Sequence, residues 1–130
     1  MKGNNLRMPS IRTGVDLVEI RRFTDVYEKY RQRFLEHIFT PIELEENGVK
    51  MASLAARFAA KEAVSKALGT GIGRVSWHEI EIRRGLVGEP ILHLYGVAEE
   101  LAREEGLHSW SISLSHTSKQ AVAMVVVLVE

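Results

Sequence analysis

The order of the predicted elements indicates an α+β domain in which an antiparallel sheet packs on a long buried helix. Three observations support this prediction: a long apolar helical segment at residues 51–68, strand patterns on both sides of it, and strands joined in pairs by short turns. The length of 130 residues and the 45% content of hydrophobic residues fit one compact domain with a substantial core.

The chain begins with a predicted strand and an amphipathic helix. Residues 11–17 alternate with period two, which predicts a first strand that ends near Asp16. From residue 20 the apolar period becomes helical and continues to residue 34. A basic strip lies beside the apolar stripe and consists of Arg22, Lys29 and Arg33. Such a strip could guide an acidic partner, although a solvated helix face explains it equally well.

Two further helices follow. Thr40-Pro41-Ile42-Glu43 has the capping-box sequence of a helix start, and the short helix is predicted to end near Asn47-Gly48. The next helix, over residues 51–68, has apolar side chains on almost every side and should therefore be largely buried. The glycine run at residues 69–73 ends it abruptly.

The second half of the chain is richer in strands. Residues 78–83 and 90–95 are predicted to pair across a turn at residues 84–89. Residues 97–105 predict an amphipathic helix closed by Gly106. Residues 110–114 and 121–129 predict a second hairpin, joined by a loop at residues 116–119.

Composition excludes several classes of function. The chain has no cysteine, which excludes disulfides, thiolate metal sites and a cysteine nucleophile and suits a reducing cytoplasm. Seventeen basic and seventeen acidic residues cancel, so no global field attracts nucleic acid or an anionic membrane. The polar residues 1–8 are expected to be a disordered leader rather than a signal peptide or anchor. The apolar run at residues 121–129 is too short to cross a bilayer as a helix, so we expect a soluble protein.

Two charged residues, Glu62 and Lys66, lie one turn apart within the long apolar helix. Because buried charge is costly, they must pair with each other, contact a ligand or metal, or reach a cleft. Glu62 and Asp16 could together bind one magnesium ion, which needs only one or two carboxylates when a substrate phosphate arrives with it. The alternative is that Asp16 caps the following helix while Glu62 pairs with Lys66. The spacing leaves both interpretations open.

Two loops are candidates for anion contacts. The backbone N–H groups of Gly69-Thr70-Gly71 could hold a phosphate, but the run lacks the features of a P-loop and a plain helix stop explains it equally well. Ser115 and His116 are adjacent on a strand and point to opposite faces, which disfavours a nucleophile and base pair. An anion contact from His116 with Thr117 and Lys119 is more plausible than a hydrolase site, with a solvated turn as the default.

Three segments together make the chain resemble the holo-acyl-carrier-protein synthases, which are short-chain, trimeric 4′-phosphopantetheinyl transferases. The segments are Gly14-Val15-Asp16-Leu17-Val18-Glu19 followed by Arg22, the run from Arg57 to Ala67 continuing into Gly69-Thr70-Gly71, and Ser113-Leu114-Ser115-His116-Thr117. The second segment is long and specific, whereas the others would be weak alone. The resemblance implies one 4′-phosphopantetheinyl transferase domain over residues 9–130, with the fold of that family.

The resemblance also implies an activity, in which the 4′-phosphopantetheine arm of coenzyme A moves to a serine of apo-acyl carrier protein and adenosine 3′,5′-bisphosphate leaves, in support of fatty acid biosynthesis in the cytoplasm. Asp16 and Glu62 would bind Mg²⁺, with Mn²⁺ as a substitute. Lys66 would contact the pyrophosphate, and Glu62 would accept the serine proton, with Asp16 or hydroxide as alternatives. Coenzyme A would be held by Arg57, Gly69-Thr70-Gly71 and Ser115-His116-Thr117.

The resemblance gives the basic strip a partner as well, because acyl carrier proteins are acidic helical bundles. Arg22 matches the family motif, whereas Lys29 and Arg33 are assigned to carrier binding from periodicity. The family forms homotrimers whose neighbouring subunits share active sites. Two alternatives remain at this point: a non-catalytic module that captures acidic helical proteins, and a small acyl-thioester hydrolase with an Asp or Glu base that needs no metal.

Overall fold

The computed structural model of the chain describes residues 9–130, and the expected leader at residues 1–8 lies outside the described residues. Strands β1, β5 and β4 form an antiparallel sheet in that spatial order, and β2 and β3 form a separate hairpin. In chain order the elements are β1 (Ser10–Glu19), α1 (Ile20–Tyr30), α2 (Gln32–Ile38), α3 (Pro41–Asn47), α4 (Met51–Leu68), a 3₁₀ turn (Trp77–Glu79), β2 (Ile80–Arg84), β3 (Pro90–Leu94), α5 (Gly96–Glu104), β4 (Leu107–His116) and β5 (Gln120–Val129). The predicted α+β class, with both hairpins, is confirmed.

Local chemistry sets the bounds of the central helices. At the start of α3, Thr40 Oγ1 accepts the Glu43 backbone N–H at 3.3 Å while Glu43 Oε1 accepts the Thr40 N–H at 2.9 Å, which confirms the capping box. Helix α4 covers the predicted residues and is largely buried. It ends at Gly69, whose φ of 87° is in the left-handed region that favours glycine.

The predicted amphipathic helix at residues 20–34 is wrong in one respect, because the backbone breaks at Arg31, where φ is 54°. The apolar pattern continues across the break since Phe23 of α1 and Phe34 of α2 pack edge to face, with ring centroids 5.2 Å apart. As a consequence Arg33 lies on α2, on a different helix from Arg22 and Lys29.

Strand β1 is longer than predicted. It continues to Glu19, so Asp16 lies inside the strand, opposite Ala123 of β5, and not at its end. The alternation is confirmed, but the apolar side chains of Ile11, Val15 and Leu17 face outward and are exposed. The other face of the strand packs against α4.

The core forms two adjoining clusters that share α4. One cluster joins the second half of α4 to the sheet, β2 and α5, and the other joins its first half to α1 and α2. Within residues 9–130, the structure has no helix that is both long and apolar enough to cross a bilayer.

Candidate active site

A close crossing of β1 and α4 brings the site residues together. Gly14 lies directly against the backbone of Ala63, and a Cβ atom at Gly14 would overlap the Ala63 carbonyl oxygen. Asp16 is two residues further along β1 and therefore shares the strand face of Gly14. Glu62 directly precedes Ala63 on the helix. The absence of a side chain at Gly14 thus allows Asp16 and Glu62, which are far apart in the chain, to lie close enough for their charges to interact.

Lys66 contacts β1 and not Glu62. Its Nζ lies 3.1 Å from Asp16 Oδ1 and donates to the carbonyl oxygen of Val15 at 2.9 Å. The alternative in which Glu62 pairs with Lys66 is therefore wrong, since the Lys66 ammonium contacts Asp16 on the strand. Asp16 does not cap α1 either, because Glu19 is the N-cap residue and makes no side-chain capping bond.

The electrostatics of Glu62 reflect a shared carboxylate site. Partial burial raises the pKa of Glu62 above its ordinary value, and the negative charge of Asp16 raises this pKa further. The positive charge of Lys66 acts in the opposite direction. Two carboxylates that repel each other beside one half-exposed lysine would gain from an additional cation.

The donor chemistry fits a hard divalent cation. Within the part of the chain that the structure describes, no three acidic or histidine side chains are grouped as a complete metal cage. Two carboxylate ligands are what Mg²⁺ commonly takes from a protein when water and substrate phosphate supply the remaining oxygens. Asp16 and Glu62 would hold such an ion at the crossing of β1 and α4.

Two clefts meet near Asp16 and Lys66. The first, here called the basic cleft, has a volume of about 510 Å³ and is lined by Arg12, Lys66, Gly69, Thr70, Arg74 and Glu105, among others. The second, here called the apolar cleft, has a volume of about 310 Å³ and is lined by Asp16, Arg22, Phe23, Val26, Phe34 and Phe58, among others. The lining of the basic cleft includes three cationic side chains, those of Arg12, Lys66 and Arg74, and one carboxylate, that of Glu105. This excess of positive charge suits an anionic ligand.

Arg12 is a residue of the basic cleft that the sequence interpretation missed. One of its terminal nitrogens lies 2.6 Å from Glu105 Oε1, and the other donates to the Ala67 carbonyl oxygen at 3.4 Å. Arg12 is four residues before Asp16 on the same strand, so the period-two pattern already placed both on one face. That alternation was the available signal.

The glycine run serves the helix end. The N–H groups of Gly69, Thr70 and Gly71 donate to the carbonyl oxygens of Ser65 and Lys66. These three N–H groups are thereby occupied, so the expectation that they hold a phosphate is not supported, although Gly69 and Thr70 do line the basic cleft.

Four other candidate residues are not brought to this crossing within one chain. Arg57 is buried and donates to Ser53 Oγ at 3.3 Å, while its Nε has no partner among the described residues. Burial lowers the pKa of Arg57, and the nearby charge of Arg84 lowers it further. The other three, Ser115, His116 and Thr117, are exposed at the end of β4 and line neither cleft.

The most deeply buried charges of α4 are not those that the sequence indicated. Lys66 is half exposed, whereas Lys61, which the sequence interpretation passed over, is fully buried and lies 2.7 Å from the equally buried Glu43. Burial lowers the pKa of Lys61 and the negative charge of Glu43 opposes that change. Because α4 has apolar residues on almost every side, its sequence has no single apolar stripe that would have marked Lys61 as the buried lysine.

The predicted basic strip is exposed but is divided between two helices. Arg22 contributes to the apolar cleft beside Asp16. The Lys29 ammonium lies 5.3 Å from the centre of the Tyr30 ring. Arg33 lines a neighbouring hollow together with Val26 and Phe34. Arg22 and Arg33 therefore border two hollows that share Val26 and Phe34, and the first of these hollows includes Asp16.

Comparison with known proteins gives a consistent result. Residues 12–126 match the 4′-phosphopantetheinyl transferase superfamily. The chain is 46% identical over 121 residues to a holo-[acyl-carrier-protein] synthase of Herpetosiphon aurantiacus, covering 88% of this chain and 95% of the relative. It is 48% identical over 118 residues to one of Geotalea daltonii, covering 88% and 94%. The solved structure of the Helicobacter pylori synthase in complex with coenzyme A superposes with a TM-score of 0.81 at 35% identity, covering 88% and 98%.

Proposed function

Because this chain belongs to the 4′-phosphopantetheinyl transferase superfamily, we infer that it transfers the 4′-phosphopantetheine arm of coenzyme A to a serine of apo-acyl carrier protein. The products are the holo-carrier and adenosine 3′,5′-bisphosphate. We also propose that the reaction serves fatty acid biosynthesis in the cytoplasm and that residues at the crossing of β1 and α4 perform it with a divalent ion. The observation that carries these proposals is the meeting of Asp16, Glu62 and Lys66 between a basic and an apolar cleft.

Asp16 and Glu62 are proposed as the ligands of Mg²⁺, with Mn²⁺ as a substitute. When bound there, the ion would neutralise charge on the pyrophosphate oxygens and hold the phosphorus for in-line attack. Lys66 can supply its charge to the same oxygens and stabilise the leaving adenosine 3′,5′-bisphosphate. Glu62 is proposed to accept the serine proton because it lies beside Asp16 and Lys66, where the two substrates would meet. Asp16 or hydroxide is the alternative base.

The two clefts suggest how the substrates approach. The nucleotide side of coenzyme A carries the negative charge and suits the basic cleft, where Gly69, Thr70 and the side chain of Arg12 lie beside Lys66. The carrier serine would enter from the opposite side, past the apolar cleft. Arg57 and the segment Ser115-His116-Thr117 remain proposed coenzyme A contacts, and for His116 we propose that the contact is made to a neighbouring subunit.

A transfer assay tests this function. We expect apo-carrier, coenzyme A, Mg²⁺ and this protein to give a carrier heavier by one phosphopantetheine in intact-mass spectrometry, and we expect a chelator to stop the gain. A carrier that stays unmodified would contradict the transferase. Thiol release from acyl-coenzyme A in the presence of chelator would instead indicate the hydrolase alternative.

Arg22 is proposed to capture the acidic carrier, together with Lys29 and Arg33. All three side chains are exposed, so screening by salt acts on them fully. We expect Arg22→Ala to raise the KM for the carrier, with a larger increase at low ionic strength than at high ionic strength, and to leave the KM for coenzyme A unchanged. Steady-state kinetics at two salt concentrations measures both values. An unchanged KM for the carrier at every salt concentration would contradict this role.

The outer face of the three-stranded sheet supports a homotrimer. It carries a continuous apolar surface with side chains that are 44–61% exposed, formed by Ile11, Val15, Leu17, Met124 and Leu128. Residues of this face lie opposite one another on β1 and β5, as Ile11 does with Leu128. An apolar patch of this kind is typical of an interface. We propose that three copies pack through this face, and that His116 of one copy contributes to the site of the next.

Shared active sites can be tested by complementation. We expect Lys66→Ala and His116→Ala each to lose most of the transfer activity as pure proteins. Mixed trimers, refolded together from equal amounts, should recover about a quarter of the wild-type activity, because random assembly of a closed ring pairs an intact Lys66 with an intact His116 at that fraction of sites. Absence of any recovery, with mixed assemblies demonstrated by two affinity tags, would show that each chain uses its own His116.

A further inference from the structure

A fully buried ion pair lies on the helix turn that carries Glu62. The side chains of Lys61 and Glu43 are both 0% exposed, and Lys61 Nζ lies 2.7 Å from Glu43 Oε1. The same ammonium group donates to the carbonyl oxygens of Trp77 at 3.0 Å and Ile80 at 2.7 Å. Lys61 therefore uses its three donors and ties α4 to the backbone at the start of β2.

Glu43 completes this network from α3. Its Oε1 atom accepts the backbone N–H of Thr40 at 2.9 Å, and its Oε2 atom accepts the backbone N–H of Ile82 at 2.6 Å. The carboxylate that caps its own helix thus also contacts α4 and β2. Three elements are joined by one pair of opposite charges, and both groups are satisfied by partners of opposite polarity.

The hydrogen bonds of Lys61 and Glu43 are directional, whereas the apolar packing of α4 is not. The buried surface of the helix consists largely of small, similar side chains, with alanine at residues 55, 56, 59, 60, 63 and 67. Apolar burial is non-directional, so a slight rotation of such a helix about its axis would change its buried apolar area little. The bonds of Lys61 depend on distance and angle and would resist the same rotation.

The rotation of α4 matters for Glu62 because the two residues are consecutive. On an α-helix they differ by about 100° and 1.5 Å, so an angle that is set for Lys61 is also set for Glu62. We propose that the Lys61–Glu43 pair is a positioning device that fixes the rotation of α4 and thereby holds Glu62 beside Asp16. The inference rests on the proposed metal site, and it makes Lys61 and Glu43 positioning residues that touch neither substrate nor ion.

The test measures metal binding directly and does not depend on turnover. The variants are Lys61→Met, Glu43→Gln and the double variant, and the probe is Mn²⁺ titrated by electron paramagnetic resonance in the presence of coenzyme A. We expect each single variant to bind Mn²⁺ about 10- to 100-fold more weakly, the usual effect of removing a group that orients a ligand. The double variant should lose no more than the weaker-binding single variant, because both changes disrupt one unit.

Leu107→Ala is the matched control. Leu107 is buried in the same core but lies at the start of β4, opposite Val129, far along the sheet from the strand position of Asp16. Its truncation leaves a cavity, so we expect a fall in melting temperature comparable to that of the Lys61→Met and Glu43→Gln variants. We expect this control to keep wild-type Mn²⁺ affinity and an unchanged KM for the carrier protein.

Several outcomes would overturn the inference. Folded Lys61→Met and Glu43→Gln proteins with wild-type Mn²⁺ affinity would do so, and so would a Leu107→Ala protein that is weakened to the same extent. If Lys61→Met does not fold, Glu43→Gln decides the question, since it keeps the shape of the side chain and one acceptor oxygen. Failure of the proposed function is distinct from these results, because the wild-type protein itself would then neither bind Mn²⁺ nor modify the carrier.

Discussion

Replacement of Glu62 by glutamine should lower kcat/KM for the transfer about 10³-fold at a Mg²⁺ concentration that saturates the wild-type enzyme. The variant keeps the shape of the side chain but removes both a ligand charge and the proposed base. Metal-assisted stabilisation of a phosphoryl-transfer transition state amounts to several kcal/mol, and each 1.36 kcal/mol corresponds to tenfold in rate. Intact-mass spectrometry of the carrier against time, over a range of Mg²⁺ concentrations, measures the loss.

The metal and proton roles of Glu62 separate in the same experiment. If a high concentration of Mg²⁺ restores turnover, Glu62 is a ligand only and the base lies elsewhere. Full turnover of the variant at ordinary Mg²⁺ concentrations would contradict both roles. A pH–rate profile that loses its acidic limb in the variant, while Lys66→Ala retains that limb, would assign the proton transfer to Glu62.

The same variant should be more stable than the wild-type protein when no divalent ion is present. The pKa of Glu62 is raised in the folded chain, so the folded state binds this proton more tightly than the unfolded state does. Stability therefore falls as the pH rises from the ordinary value of 4.5 through the raised value, and the loss persists at neutral pH. We expect Glu62→Gln to melt at a higher temperature at pH 7 in chelator, with the difference disappearing below pH 4.5. A lower melting temperature at pH 7 would contradict this.

Gly14→Ala should reduce both stability and activity. The added Cβ would overlap the Ala63 carbonyl oxygen, and neither partner is a flexible side chain that could move aside. Overpacking typically costs about 1–3 kcal/mol of the free energy of unfolding, and a contact between two backbones should lie at the upper end of that range. Separation of β1 from α4 also moves Asp16 away from Glu62, so we expect transfer to fall even where the variant is fully folded. Chemical denaturation and the transfer assay measure the two effects.

Leu107→Ala serves as the control for Gly14→Ala as well. It should lose about 2–5 kcal/mol of stability by cavity formation but keep its kcat, because it leaves the crossing of β1 and α4 intact. A Gly14→Ala protein with wild-type melting temperature and wild-type turnover would show that the close approach of these two elements is not required.

Elements with local signals could be predicted well from the sequence. The capping box at Thr40, the apolar helix that stops at Gly69 and both hairpins are confirmed because short-range chemistry determines them. The break at Arg31 was missed because the aromatic pattern continues through it. The end of β1 was placed too early because pairing with β5, a long-range interaction, extends the strand to Glu19.

The candidate site was predictable only in part. Spacing along the chain left the pairing of Asp16 with Glu62 as one of two interpretations, and the resemblance to a family favoured it. The cost of buried charge pointed to Glu62 and Lys66 as the charged residues that need partners. In the structure the fully buried pair is Lys61 with Glu43, and Lys66 pairs with Asp16. The sequence predicts the capping role of Glu43, which is local, but not its bond to the Ile82 N–H, because that partner lies 39 residues later in the chain.

The two faces of β1 have different tasks: one carries Asp16 towards α4 and the other presents the apolar residues proposed for subunit contact. A single-residue insertion or deletion upstream of Asp16 would exchange these faces over part of the strand. Apart from Gly14 and Asp16, point substitutions in β1 should therefore be far better tolerated than changes in length. The turn between β2 and β3, where the side chains of Leu86 and Val87 are exposed to solvent, should tolerate both point substitutions and changes in length.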